Sequence, residues 1–334
     1  ARPQQPQPPF PYRSEDVTYR SGDVPLAGAL TLPQGAGPFT AVLLLTGSGA
    51  QDRDETLFGH KPFLLLADTL TRAGHAVLRV DDRGGGGSGG DLATATYEEL
   101  VGDALAGVAY LKGRAEVDPA RIGLFGHSEG GYLAPLAAQR SDDVAFVILM
   151  SGPAVPGEDV LVLQNRLLFQ AAGAPPEQIE AQVEYVRELV GLLRAEDYQA
   201  AETLARTRLE QQSTALPEAQ RPTPQQIEAT ARAQTQPSMR SFVTNDPGPA
   251  LDALDIPVLA LFGGKDLQVP PAQSEPVLRK RLADNPDVTV RTFPQLNHLM
   301  QPATTGALDE YARIETTISP EVLDAVTQWL QLRY

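Results

Sequence analysis

The sequence has no cysteine among its 334 residues. That excludes disulfide staples, thiolate metal centres and cysteine nucleophiles. Histidine is almost as scarce, with four in the chain, so any chemistry that needs an imidazole has few places to find one. Positive charge is short as well. Lys and Arg total 27 against 42 Asp and Glu, a formal net charge of −15, which argues against nucleic acid or an anionic membrane as partner. No apolar run approaches the ~20 residues of a membrane-spanning helix; "AVLLLTG" and "VAFVILMSG", the longest, have strand length. What is present is 42% hydrophobic and 21% charged, a globular balance with ample length for a core.

From residue 38 onward, apolar strand-length runs alternate with helix-length segments. "FTAVLLLTG" (39–47) precedes "KPFLLLADTLTRAG" (61–74), and "HAVLRVDD" (75–82) precedes "TYEELVGDALAGVAYLKGR" (96–114). "RIGLFGHS" (121–128) leads into "EGGYLAPLAAQR" (129–140), followed by "VAFVILMSG" (144–152). Nearly continuous apolar strands indicate a sheet covered on both faces, and the alternation indicates a doubly wound, mostly parallel α/β fold. Residues 15–33 read as a hairpin at its edge. The pattern breaks over 155–248, which is rich in Gln, Ala, Glu and Arg at helical spacing, and returns with "PVLALFGGKD", "VTVRTFPQLNH" and "PEVLDAVTQWLQL". The expected organisation is a Pro/Gln-rich spacer (1–14), an α/β core (15–154 and 249–334) and a helical cap (155–248). The spacer begins at Ala1 and reads as a terminus left by signal-peptide cleavage, which favours a secreted or periplasmic location.

Gly126-His127-Ser128-Glu129-Gly130 fits G-x-S-x-G, a strand-to-helix turn that projects a strained serine. Serine needs a base to take its proton and an acid to orient that base. In this architecture the chain order is serine, acid, histidine. His60, His75 and His127 all precede Ser128, which leaves His298 as the base. Among Asp246, Asp252, Asp255 and Asp266, Asp266 directly follows a strongly apolar strand, whereas Asp255 precedes it. The oxyanion donors would be the amides of Glu129 and of Ser48, in the glycine-flanked loop after the first core strand. Leu163, Leu167 and Phe242 are the cap residues expected to contact an acyl chain.

On "GSGAQDRDE", "DDRG" and "GHSEGG", the chain resembles α/β-hydrolases, particularly bacterial serine esterases, over residues 15–153 and 249–334. Thr46 stands where such relatives often carry a histidine. The expected activity is hydrolysis of a small carboxylic ester through an acyl-enzyme, with no cofactor and no metal. A peptidase or acyltransferase with the same triad is the first alternative, and a non-catalytic binding module on the same fold is the second. "DDRGGGGSGGD" contains a formal G-x-G-x-x-G, but no helix pattern opens directly on it, as a dinucleotide site requires. "QDRDE" with His60 matches no zinc spacing.

Overall fold

The protein is described here from a computed structural model covering all 334 residues. In chain order the first half contains β1 (Arg13–Ser21), β2 (Val24–Leu32), β3 (Phe39–Leu45), α1 (Pro62–Arg72), β4 (Ala76–Val80), α2 (Tyr97–Lys112), β5 (Val117–His127), α3 (Gly130–Arg140) and β6 (Phe146–Met150). Five helices follow: α4 (Gly157–Ala171), α5 (Pro176–Arg194), α6 (Tyr198–Thr214), α7 (Pro224–Ala233) and α8 (Pro237–Thr244). The chain closes with α9 (Gly248–Asp252), β7 (Val258–Gly263), α10 (Pro271–Arg281), β8 (Val288–Phe293) and α11 (Pro320–Gln331).

The strands form one eight-stranded sheet in the order β1-β2-β4-β3-β5-β6-β7-β8. β1 and β2 run antiparallel, and β3 to β8 are all parallel. Strand periodicity of two sends successive side chains to opposite faces, and both faces are covered. Leu43, Leu78, Leu124, Val147 and Ala260 pack with residues of α2, α3 and α10. Their neighbours Val42, Val77, Phe125, Ile148 and Leu259 pack with residues of α1 and α11. This two-sided burial is why the central strands read as unbroken apolar runs.

The chain divides into two compact units. The sheet unit comprises residues 1–92, 98–155 and 247–334 and contains the whole sheet. The segment ahead of β1 lies along this unit: Arg2 donates to Phe58 O at 2.7 Å, and Gln4 donates to Ile318 O at 2.9 Å. The helical unit comprises residues 93–97 and 156–246. Its core is Val186, Leu189, Val190, Leu193, Ala201 and Val243. Proline opens α5, α7 and α8, where a missing N–H costs nothing. Thr223 and Gln226 close a reciprocal cap on α7. No helix is long and apolar enough to cross a membrane.

Candidate active site

The last six residues of β5 are buried, and the strand ends by delivering Ser128 with φ of 55°, a conformation an L-residue adopts only under strain. Ser128 N–H donates to Met150 O at 3.0 Å, and Gly131 N–H donates to Ser128 O at 2.8 Å, closing the turn into α3. The flanking glycines are there because the backbones touch. A Cβ on Gly126 would lie 2.2 Å from Gly130 O, and one on Gly130 would lie 2.5 Å from Leu45 O.

His298 sits in a turn after β8. Asn297 Oδ1 holds that turn by accepting from the N–H groups of Leu299 and Gln301, both at 3.0 Å. His298 Nε2 lies 2.9 Å from Ser128 Oγ, and Nδ1–H donates to Asp266 Oδ2 at 2.8 Å. Asp266 leaves β7, and its other oxygen accepts from Gln268 N–H and Val269 N–H at 2.8 and 2.9 Å. The carboxylate is therefore held by backbone amides as well as by the imidazole. Asp266 and His298 are 2% and 4% exposed, whereas Ser128 is half-buried and opens on a cavity. Ser48, Gln268, Leu299, Leu308 and Tyr311 also line that cavity. Glu129 heads α3, where the helix N-terminus presents amides and positive potential. At the tip of the loop after β3, Gly47 N–H is committed to Glu55 Oε2 at 2.8 Å.

Three sequence motifs meet here. Asp82 accepts from Thr46 Oγ1 at 2.6 Å and from Gln51 N–H at 2.9 Å. Asp81 accepts from Arg53 N–H at 2.6 Å, from the Arg53 guanidinium at 3.1 Å and from Gly87 N–H at 2.9 Å. The "DD" at the end of β4 thus clamps the "QDRDE" loop. The glycine run curls round Asp81 so closely that a Cβ on Gly86 would lie 2.4 Å from its carboxyl group. The two aspartates differ electrically. Burial pushes Asp82 up to about 8 despite its hydrogen bonds to Thr46 and Gln51, with Glu55 and Glu129 adding to the rise. Burial would also raise Asp81, but hydrogen bonds from Arg53 and Gly87 bring it below its ordinary value. His127, inside the serine motif, is bonded to Glu55.

Of the residues singled out from sequence, Ser128, Asp266 and His298 meet in one hydrogen-bonded chain, with Ser48 and Glu129 beside it. Asp255 is exposed ahead of β7, and Asp252 ends α9 in an ion pair with Arg281 at 2.9 Å. Asp246 is exposed after α8, in the helical unit. Leu163 and Leu167 lie half-buried on α4, and Phe242 on α8 packs on the core of that unit. His60 bonds Thr317 Oγ1 at 2.7 Å and Ile314 O at 2.9 Å. No group of three or more His, Asp or Glu gathers as a metal-binding cluster. Sequence reasoning missed the clamping roles of Asp81 and Asp82, the Glu55–His127 contact, and Ser151, whose hydroxyl donates to His298 O at 2.8 Å. The joint presence of "QDRDE", "DDRG" and "GHSEGG" was the available signal, and it carries no information on which side chain meets which.

A mostly parallel sheet in this order, with a strained serine turn at the carboxyl end of a central strand, defines an α/β hydrolase. The sequence profile of the family described as serine aminopeptidase, S33, matches residues 61–301, and the chain belongs to that family. It is similar to the esterase EstD of Thermotoga maritima, with 29% identity over 322 residues, which span 96% of this chain and 68% of the relative. Among solved structures, an esterase of Pyrococcus furiosus aligns with a TM-score of 0.59 at 16% identity, covering 96% of this chain and 91% of its own. A proline iminopeptidase of Mycobacterium smegmatis aligns with a TM-score of 0.56 at 18% identity, covering 95% and 98%. At such identities the structural matches establish the fold alone, and esterase and peptidase share it.

Proposed function

We propose that the protein is a serine hydrolase of small carboxylic esters, acting through an acyl-enzyme. The observation that carries this reading is the unbroken chain from Ser128 Oγ through the His298 ring to a buried Asp266, at 2.9 and 2.8 Å. Ser128 attacks the ester carbonyl as His298 Nε2 takes its proton, and Asp266 holds the ring and balances the imidazolium. The amides of Ser48 and Glu129 receive the developing oxyanion. His298 then protonates the departing alkoxide. Because that transfer takes place at Nε2, the alcohol leaves through the cavity lined by His298, Leu299 and Tyr311. Water releases the acyl group by the reverse route. The helical unit acts as a cap, with Leu163, Leu167 and Phe242 as its acyl contacts. No cofactor is required.

The likeness to EstD along nearly the whole chain supports the ester reading. The family's description favours a second one, an aminopeptidase using the same three side chains. A p-nitrophenyl acyl ester compared with an aminoacyl-prolyl amide separates the two. Ester turnover should exceed amide turnover by orders of magnitude, and a serine-reactive phosphonate should add its mass at Ser128. Ser128→Ala should lower kcat by about 10⁴–10⁶-fold with the fold retained. Faster turnover of the amide would decide for the peptidase, and an adduct on another serine would remove the mechanism.

A further inference from the structure

His127 lies beside the proposed base, with the two rings' centroids 5.2 Å apart, yet it has no part in the steps above. Its surroundings are one-sided. Nδ1 is 2.9 Å from Glu55 Oε2, and Nε2 is 3.2 Å from the carbonyl oxygen of His298. Carboxylate and carbonyl oxygens accept hydrogen bonds and do not donate them. A neutral imidazole has one N–H, so beside an ionised Glu55 one ring nitrogen would turn its lone pair towards an oxygen while 3% exposed, a costly arrangement for a buried polar group. An imidazolium donates at both positions.

We infer that His127 works as an imidazolium, paired with Glu55, and that the pair is a positioning device for the oxyanion loop and the catalytic turn. The connections run through three segments. Glu55 Oε2 also accepts from Gly47 N–H at 2.8 Å, which pins the loop bearing Ser48. His127 belongs to the end of β5 and so moves with Ser128. The His298 carbonyl, held on one side by Ser151 Oγ, is held on the other by His127 Nε2–H. One buried ion pair thus ties oxyanion loop, nucleophile and base together. Glu55 adopts φ of 52° to reach this position, a strain that the surrounding bonds must offset.

The charged and titratable groups facing the ring are Glu55 from the oxyanion loop, Asp266 from the turn after β7, and His298. Asp82 at the end of β4 interacts with Glu55 in turn. Burial by itself would lower the pKa of His127. The charge and hydrogen bond of Glu55, the His298 carbonyl and the charge of Asp266 outweigh it and leave the ring raised. The ring therefore holds both protons to higher pH than an ordinary imidazole, and on the high-pH side it loses one. A lone pair then faces an acceptor, and the linkage loosens. Displacements of about 1 Å in such a site cost about 10²-fold in rate.

This inference rests on the serine-hydrolase reading, but part of its test does not need turnover. In the ¹⁵N-labelled full chain, His127, assigned by its loss in His127→Gln, should show two ring N–H groups at neutral pH. Glu55→Gln keeps an acceptor for Gly47 N–H and offers an amide donor to a neutral ring, so it removes the charge while preserving the bonds. One His127 N–H should disappear in that variant. Its kcat should fall by about tenfold with KM within about twofold, and the alkaline decline of kcat should vanish. A single ring N–H on His127 at neutral pH in the wild type would overturn the inference, as would a Glu55→Gln pH profile matching the wild type. Phosphonate labelling of wild-type Ser128 tests the hydrolase reading separately, so failure of one is not mistaken for failure of the other.

Discussion

Asp255 and Asp266 bracket the same strand, β7, one at each end. An orienting acid must lie where His298 does, beyond the carboxyl ends of the parallel strands, and Asp266 meets this condition while buried. Asp266→Asn should lower kcat by about 10⁴-fold, because the imidazole loses the partner that fixes its tautomer. Asp255→Asn and Asp252→Asn, both at exposed positions, should each change the rate by less than about tenfold. Steady-state kinetics on a p-nitrophenyl ester checks all three, and comparable damage from Asp255→Asn would move the acid off Asp266. Contact among Ser128, Asp266 and His298 could be inferred from the sequence because histidine is so rare that chain order left one base, and because Asp266 alone of the four aspartates weighed directly follows a strongly apolar strand. Glu55 and His127 gave no such signal. Their meeting depends on how a long loop folds back, and neither spacing nor composition encodes that.

At the scale of elements, the central strands were legible because burial on both faces makes them apolar throughout, and the 15–33 hairpin because its two runs are adjacent. α10 was not legible. "PAQSEPVLRKR" has a proline inside it and buries little beyond Ser274 and Leu278, so it lacks an apolar face to read. The end of β4 was legible as a strand and as part of the family resemblance, but nothing in "DDRG" told which groups its two aspartates would bind. In the folded protein Asp82 is held near 8 by burial, whereas an unfolded carboxyl group titrates near about 4. Between these values the native state binds a proton that the unfolded chain releases, so this group's contribution to stability falls as pH rises across that window. Asp82→Asn has no such proton. Urea unfolding from about pH 5 to 8 should show the variant gaining steadily on the wild type. A wild-type-to-variant difference that stays constant over that range would mean Asp82 is ionised in the folded protein.

At the scale of the whole molecule, the open question is what the helical unit does for the chemistry. β6 and β7 pair directly in the sheet, yet residues 156–246 are inserted between them. The insertion departs from the carboxyl end of β6, which is the edge where open α/β sheets bind their ligands. That connectivity is the argument for a cap, and it makes Leu163, Leu167 and Phe242 candidates for contact with the acyl chain. A methylene in such a pocket is worth only about 1–3 kcal/mol, so the preference it imposes is graded. Leu167→Ala and Phe242→Ala should therefore move the kcat/KM optimum across a series of p-nitrophenyl esters towards longer acyl chains. Labelling of Ser128 by a small phosphonate should remain at the wild-type rate, which separates a reshaped pocket from a damaged catalytic centre. If both truncations leave the chain-length profile unchanged, the helical unit is a bystander to acyl selection. Specificity would then be set by the sheet unit's own cavity, which Leu299 and Leu308 line together with Ser128.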